Sequence, residues 1–404
     1  MRVLQICNKP PYPPVDGGCI AMNNLTEGLL NNGCEVKILS ISTKKHPVIN
    51  GMLPDKYVKS TEFEHVFIDT DIKIKDAFIN LFSDDSYNVK RFISGKFKKK
   101  LIEVLESSPF DIIILESLYA TPYIKIINKH SSAKVILRAH NIEHKIWDRI
   151  AFNTGNPIKK QYLKHLTKKL MNYEKKVIQE LDGIISITEI DRQNFINLGF
   201  MKKILNVPVG YSFKNIPTNA STENGSFFHI ASMDWLPNQE AVTWFLENIW
   251  NKITEIHPTQ KLYLAGRNMP KWLLNLQSDN VEIIGEVADA KEFMLSKDIM
   301  IVPLLSGSGM RVKIIEGMAL GKTIISTSVG AEGIDFEAGK HILIADSPSE
   351  FIECINQCLT DENFKKQIGI NAQRLIAEKY DNQVVCQPII QYFDEIIQII
   401  PDKN

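Results

Sequence analysis

Residues 307–317 read GSGMRVKIIEG. Two glycines flank a serine, a basic pair follows at Arg311 and Lys313, and one carboxylate, Glu316, sits inside an apolar run. Backbone freedom at the mouth of a helix, where N–H groups lack partners and the macrodipole favours negative charge, makes an anion site. The spacing predicts that Ser308, Gly309 and Met310 present those N–H groups. Arg311 and Lys313 add charge that can pair with a diphosphate. Glu316, further along the same helix, is placed to accept hydrogen bonds from sugar hydroxyls. This reads as a site for a phosphorylated ligand, against the plainer reading of a glycine-rich helix start with solvated charges.

Other stretches carry weaker signals. PYPPVDGGCIAMNNL (11–25) follows the first strand pattern, and Gly17-Gly18 lets a backbone come close to a ligand at a helix N-terminus. LRAHNIEHKIW (137–147) releases His140 from a strand end, where it is either a structural histidine or a functional one. LYLAGR (262–267) puts Gly266 and Arg267 at another strand end, and IIGEV (283–287) offers Ile284, Gly285, Glu286 and Val287, with a glycine that admits a flat ring close to main chain. G-x-G-x-x-G and G-x-x-x-x-G-K-[ST] are both missing, so neither a dinucleotide fingerprint nor a phosphate loop is present. DTD (69–71) has the form of a metal-holding pair but lacks matching partners, and no metal is expected.

These residues need a scaffold that brings strand ends together. RVLQIC (2–7), EVKILSI (35–41), DIIILES (111–117), KVILRAH (134–140) and GIISIT (183–188) read as strands buried on both faces, with helical patterns between several of them. The pattern restarts at SFFHIAS (226–232), KLYLAGR (261–267), VEIIGEV (281–287), IMIVPL (299–304), TIISTS (323–328) and HILIAD (341–346), with helices expected over 239–256, 288–297, 310–320 and 348–360. Such alternation predicts an α/β class: two Rossmann-like, doubly wound parallel sheets facing a cleft. The expected domains are 1–210, a polar linker at 211–225, 226–382, and a C-terminal helical segment at 383–404 that returns to the first domain.

Composition narrows the class. The chain has 404 residues, 44% apolar and 23% charged, and no run of 18 apolar residues, so no spanning helix is expected. Six cysteines without metal-ligand spacing read as reduced thiols of a cytoplasmic protein. The net charge of zero hides an asymmetry. Residues 1–210 hold 31 Lys+Arg against 22 Asp+Glu, a net +9, and the remainder holds 16 against 25, a net −9. The excess lies in KRFISGKFKKK (90–100) and KKQYLKHLTKKLMNYEKK (159–176). It reads either as solvated helix faces or as a surface meeting anionic lipid. On the second reading Lys96, Lys98, Lys99, Lys100, Lys164, Lys168 and Lys169 face the bilayer beside Phe92, Ile93, Phe97, Tyr162, Leu163, Leu166 and Leu170. Nucleic acid is not an expected partner, for no binding motif is present.

Taken together, the Gly17-Gly18 stretch, the His140 strand end, HIASMDWLPNQEAV (229–242), LYLAGR, IIGEV and LLSGSGMRVKIIEGMALGKTIISTSVGAEGI (304–334) resemble the retaining glycosyltransferases of the GT-B fold, group 1, and among them a subgroup making bacterial surface polysaccharides. The resemblance implies sugar transfer from a nucleotide diphosphate sugar to a glycan or lipid-linked hydroxyl, with retention at the anomeric carbon and no metal. It implies that Gly17 and Gly18 approach the donor diphosphate and acceptor, His140 the donor sugar, Arg267 the diphosphate, residues 284–287 the base, and Glu316 the ribose. The pattern departs from the family twice. Ser308 stands where an acidic residue is frequent, and SMDWLPNQ lacks a common Arg and Lys, whose place Arg311 and Lys313 take. A nucleotide-sugar epimerase of the same fold and a non-catalytic glycan- or nucleotide-binding protein are the alternatives. Product formed from nucleotide sugar without an acceptor separates them.

Overall fold

A computed structural model describes residues 1–49, 51–73, 80, 83–213, 221–307 and 309–398. The chain divides into two compact units. The first comprises Met1–Val209 with Val385–Asn404, the second Gly210–Val384. The tail from Val385 therefore belongs to the first unit. Much of the expected linker, 214–220, lies outside the described residues.

In the first unit seven strands form one sheet: β1 (Arg2–Cys7), β2 (Glu35–Ser42), β3 (Glu64–Phe67), β4 (Ile112–Glu116), β5 (Lys134–Ala139), β6 (Gly183–Ser186) and β7 (Ile204–Asn206). Their spatial order is β3-β2-β1-β4-β5-β6-β7, every pairing parallel. The second unit has β8 (Phe227–Ile230), β9 (Leu262–Ala265), β10 (Val281–Gly285), β11 (Ile299–Val302), β12 (Thr323–Ser326) and β13 (Leu343–Ile344), in the order β10-β9-β8-β11-β12-β13, again parallel. Each sheet reverses its direction of growth once, between β1 and β4 and between β8 and β11, and open α/β sheets bind ligands at the carboxyl side of such a switch point.

The eleven strands legible in the sequence are all present. β3 and β7 are additional, short edge strands whose residues are only partly buried, so neither makes an apolar run. Residues 236–256 are helical throughout, with one π turn at Leu246–Trp250. The helix Pro348–Thr360 has the expected bounds because Ser347 and Glu350 form a capping box and Pro348 opens the first turn.

Gly17 and Gly18 stand at a helix N-terminus, as expected: they open the helix Gly17–Asn31, whose N-cap Asp16 accepts from the Cys19 N–H. One expectation needs correction. The surface imagined for lipid is not one surface. Phe97, Leu163, Leu166 and Leu170 are core residues. Lys169 is buried with its Nζ donating to the Asn80 carbonyl at 2.5 Å, and Lys100 pairs with Glu64 and Glu103. The DTD residues are also held by ion pairs, Lys44 with Asp69 and Asp71 and Lys73 with Asp69.

The helix Asn382–Gln398 carries Tyr392 and Phe393 into the core of the first unit. The Tyr392 hydroxyl donates to the Lys203 carbonyl at 2.7 Å and the Ile184 carbonyl at 3.2 Å. A Cβ on Gly183 would lie 2.2 Å from that hydroxyl and 2.6 Å from Ile396 Cδ1. Gly183→Ala should therefore destabilise the protein by about 1–3 kcal/mol in denaturant unfolding. Adding Tyr392→Phe should return part of the loss, and an alanine variant as stable as the parent would contradict this packing.

Candidate functional site

In the second unit the predicted residues gather at the carboxyl ends of β8, β9, β10 and β11. Backbone bonds tie these ends together: Ala231 N–H to the Ala265 carbonyl, Met233 N–H to the Arg267 carbonyl, and Gly266 N–H to the Gly285 carbonyl. Gly266 has φ +135°, and a Cβ there would fall 1.7 Å from the Ala231 oxygen, so only glycine allows this approach. Arg267, half-buried, leaves the end of β9. Residues 284–287 leave β10, with Ile284 and Glu286 exposed.

The segment after β11 differs from expectation in one respect. The helix is Val312–Ala319 with Arg311 as its N-cap residue. Gly309 and Met310 precede it by a turn, and Ser308 lies outside the described residues. The orphan N–H groups are then those of the first turn from Val312. The glycines shape what surrounds Arg311. Its guanidinium lies 5.1 Å from the Trp235 ring, and its Nη1 donates to the Gly309 carbonyl at 2.9 Å. A Cβ on Gly307 would come within 2.3 Å of Arg311 Nη2 and 2.8 Å of Trp235. Gly307 thus makes room for a buried guanidinium against an indole, a strong arrangement for a desolvated cation.

Lys313 and Glu316 are three residues apart on one face of this helix. Among the described residues Lys313 has no ion pair; its Nζ lies 3.5 Å from Asn238 Oδ1, and Asn238 is held by the Ser232 carbonyl at 2.8 Å. Burial, helped by the Arg311 charge, pulls the Lys313 pKa down to about 7. Neighbouring His229 is buried and neutral, its Nδ1 bonded to the Ile301 carbonyl and its pKa lowered to about 3 by burial and by Lys313. Glu316 moves the opposite way, pushed up to about 7 by burial, with Lys291 opposing and Asp289 adding to the rise. The Tyr211 hydroxyl is buried close enough for Glu316 to raise its pKa, and among the described residues it has no hydrogen-bond partner. A lysine and a carboxyl therefore share one helix face without pairing, each poorly solvated and close to losing its charge.

In the first unit His140 directly follows β5 and is positioned by charge. Glu116, at the end of β4, is fully buried; it accepts from His140 Nε2 at 2.6 Å, Gln5 Nε2 at 2.7 Å and Arg138 Nη1 at 3.4 Å. Arg138 also donates to the Ala21 carbonyl, and Gln5 Oε1 accepts from Thr26 Oγ1, which ties the network to the helix that Gly17 and Gly18 open. Burial works against ionisation of Glu116, but Arg138, His140 and Gln5 hold its pKa below the ordinary range. Burial lowers the His140 pKa despite that carboxylate. The pair is a carboxylate and a neutral imidazole whose Nε2–H donates, leaving Nδ1 as an acceptor. Beside Gly18, Lys9 pairs with Asp16 at 2.6 Å, and a Cβ on Gly18 would lie 2.9 Å from the Lys9 nitrogen.

Sequence reading missed Glu116, Arg138 and Gln5, and in the second unit Trp235, Asn238 and Tyr211. One signal was available: β4 and β5 pair Glu116 with Arg138 in register, two opposite charges at matching ends of apolar strands. Among the described residues no group of three or more His, Cys, Asp or Glu could hold a metal.

Lys313 yields a test of the electrostatics. Its pKa is lower in the folded chain than the ordinary 10.5, so folding expels a proton and stability rises with pH between about 7 and 10.5. Lys313→Met should be more stable than the parent at pH 7, by about 1–2 kcal/mol because the side chain keeps some solvent access. The advantage should shrink as pH rises; one that stays constant would contradict the assignment.

Comparison with known proteins agrees with this architecture. Residues 225–361 match the family of glycosyl transferases group 1. A 44.6 kDa protein of the cps region of Klebsiella pneumoniae is 22% identical over 406 residues, spanning 96% of this chain and 99% of the relative. The crystal structure of Anabaena HepE in complex with UDP and glucose superposes with a TM-score of 0.69 at 14% identity, covering 98% of this chain and 100% of that one. Sucrose-phosphate synthase from Thermosynechococcus elongatus does so with a TM-score of 0.68, also at 14% identity, over 98% and 99% of the two chains. The chain has the fold of the GT-B glycosyltransferases, and its residues 225–361 match the model of the group 1 glycosyl transferases.

Proposed function

We propose that the protein transfers a sugar from a nucleoside diphosphate sugar to a hydroxyl of a glycan or lipid-linked acceptor, with retention at the anomeric carbon and without a metal. The observation that carries this reading is the cluster at the β11 exit: Arg311 against Trp235, Lys313 without an acidic partner among the described residues, and Glu316 on the same helix face. A diphosphate supplies the charge that Lys313 lacks. Two neighbouring ribose hydroxyls suit Glu316, which becomes a better acceptor once ionised. Gly285, at φ +75° with open space around its α-carbon, lets a base lie against the main chain of 284–287. HepE was crystallised with UDP-glucose as well as with UDP, so UDP and its sugars are the first ligands to try.

The chemistry follows from where charge grows. As the bond from the anomeric carbon to the phosphate oxygen breaks, negative charge builds on the departing diphosphate. Arg311, Lys313, Arg267 and the first-turn N–H groups of Val312–Ala319 stabilise it, each such contact lowering the barrier by roughly 2–4 kcal/mol. The acceptor oxygen bonds to the same face of the anomeric carbon, and its proton passes to the leaving phosphate oxygen. No protein nucleophile is required. His140 addresses the transferred sugar, with Nδ1 accepting from one of its hydroxyls while Glu116 fixes the tautomer.

Glu316→Gln should weaken binding of UDP, or of whichever nucleoside diphosphate binds, by about tenfold in calorimetry, as a charged hydrogen bond is worth about 1.5–3 kcal/mol. Unchanged affinity would remove Glu316 from the ribose. Activity in the same assays should persist in EDTA, and product should form only when acceptor is present.

His140→Ala should lower kcat about 100-fold or more while nucleotide affinity stays within about twofold, as expected for a group that acts mainly in the transition state. Glu116→Gln should lower kcat less and alter its pH profile, since a glutamine can offer an N–H to Nε2 and so favour the other tautomer. If both variants turn over like the parent, His140 is a structural histidine.

A further inference from the structure

The Tyr211 side chain ends in a polar group that the proposed chemistry does not use. The residue is 2% exposed, and its hydroxyl is shut away from solvent with no hydrogen-bond partner among the described residues. Two other buried tyrosines of the same unit are provided for. The Tyr263 hydroxyl donates to Glu223 Oε1 at 2.7 Å, and the Tyr380 hydroxyl accepts from the Asp335 N–H at 2.7 Å. An orphaned buried hydroxyl costs stability, and folded proteins hold few of them. A phenylalanine would fill the same space without that cost, so packing alone gives no reason for the oxygen.

The residue is held firmly on both sides. Its N–H donates to the Tyr380 carbonyl at 2.6 Å, its carbonyl accepts from the Asn382 N–H at 3.0 Å, and Tyr211 and Asp381 form a parallel bridge. The ring stands edge-on to Phe213, with centroids 5.1 Å apart and planes at 83°. Lys291 Nζ lies 5.2 Å from the ring centroid. Lys291 belongs to the helix Ala290–Ser296, whose N-cap Asp289 comes two residues after the 284–287 exit. The charged groups bearing on Glu316 are this Lys291 and Asp289, and Glu316 and Asp289 in turn bear on the phenol. Glu316 is half-buried, and among the described residues its carboxyl accepts no hydrogen bond. An unused donor and an unused acceptor therefore stand near one another at the predicted ribose contact.

We propose that Tyr211 is a positioning residue for Glu316: with a nucleotide seated, its hydroxyl donates to one Glu316 oxygen and leaves the other turned to the ribose. The inference rests on the ribose contact proposed for Glu316. Without nucleotide, solvent serves the open side of that carboxyl. A nucleotide lying over it removes the solvent, and the covered carboxylate then needs a donor from within the protein. The phenol is that donor, and being closed to solvent it acts through Glu316 and not on the ligand.

UDP, ADP and GDP are each titrated into the full chain by calorimetry, and the tightest is carried forward. Tyr211→Phe should bind it about tenfold more weakly at pH 8, the size of one hydrogen bond to a charged group. In a Glu316→Gln background the same substitution should weaken binding about threefold or less, because a neutral amide oxygen takes the weaker bond. The tenfold difference should shrink as pH falls below about 6, where the Glu316 carboxyl, with its pKa raised to about 7, is mostly neutral. Without nucleotide Tyr211→Phe should melt no lower than the parent, since it loses no bond and sheds a buried polar group. Equal losses in both backgrounds, a Tyr211→Phe variant that binds like the parent, or one that melts well below it without nucleotide, would overturn the positioning role and leave the nucleotide site standing. A parent that binds none of the three nucleotides, or a Glu316→Gln variant that binds like the parent, would instead remove the ribose contact and the role of Tyr211 with it.

Discussion

Lys313 is a cation kept in a place that does not suit it. Its neighbours are an amide oxygen at 3.5 Å, a neutral histidine and a second cation, Arg311, whose charge helps pull its pKa toward 7. A buried amine in that position is costly unless something anionic arrives. The surrounding architecture serves to keep it there. Gly266 and Gly307 allow backbones and side chains to approach at distances no Cβ would permit, Trp235 backs the guanidinium, and Asn238 is fixed by Ser232. The switch in strand order between β8 and β11 opens the space that these groups line.

The first unit handles buried charge the other way. Glu116 has no solvent access, yet it meets Arg138, His140 and Gln5 and remains ionised. That network is satisfied within the protein, so it fixes geometry and does not wait for a ligand. Its output is a neutral imidazole of defined tautomer at the end of β5. One unit thus keeps a charge uncompensated for binding, while the other spends a complete ion network on orienting one side chain.

Much of this was legible in the sequence for identifiable reasons. The interior strands show as apolar runs because both faces are covered, and Pro348–Thr360 shows its limits because a proline and a capping box mark its start. Edge strands β3 and β7 left no such run, since each is only partly buried. The Arg311, Lys313 and Glu316 cluster was visible from spacing, but the helix start was placed early. Positive φ at Gly307 and Gly309 carries the chain through a turn that a helical reading of the segment absorbs. Trp235 and Asn238 became visible only once strands distant in sequence were adjacent, whereas Glu116 had a signal in the opposite charges that it and Arg138 place at matching ends of two apolar strands. Lysine-rich periodicity misled in the other direction: Lys169 and Leu166 share a helix with bare lysines but face the core.

The claim that Lys313 awaits a phosphate is tested most directly by proton counting during nucleotide binding. Calorimetry of UDP binding at about pH 8, in buffers of different ionisation enthalpy, reads the protons exchanged. Lys313 is mostly neutral there in the empty site and regains its charge against a diphosphate, while Glu316 is already mostly ionised. Binding should take up close to one proton, and the uptake should vanish in Lys313→Met. Tight binding with no proton uptake in the parent would place the diphosphate elsewhere.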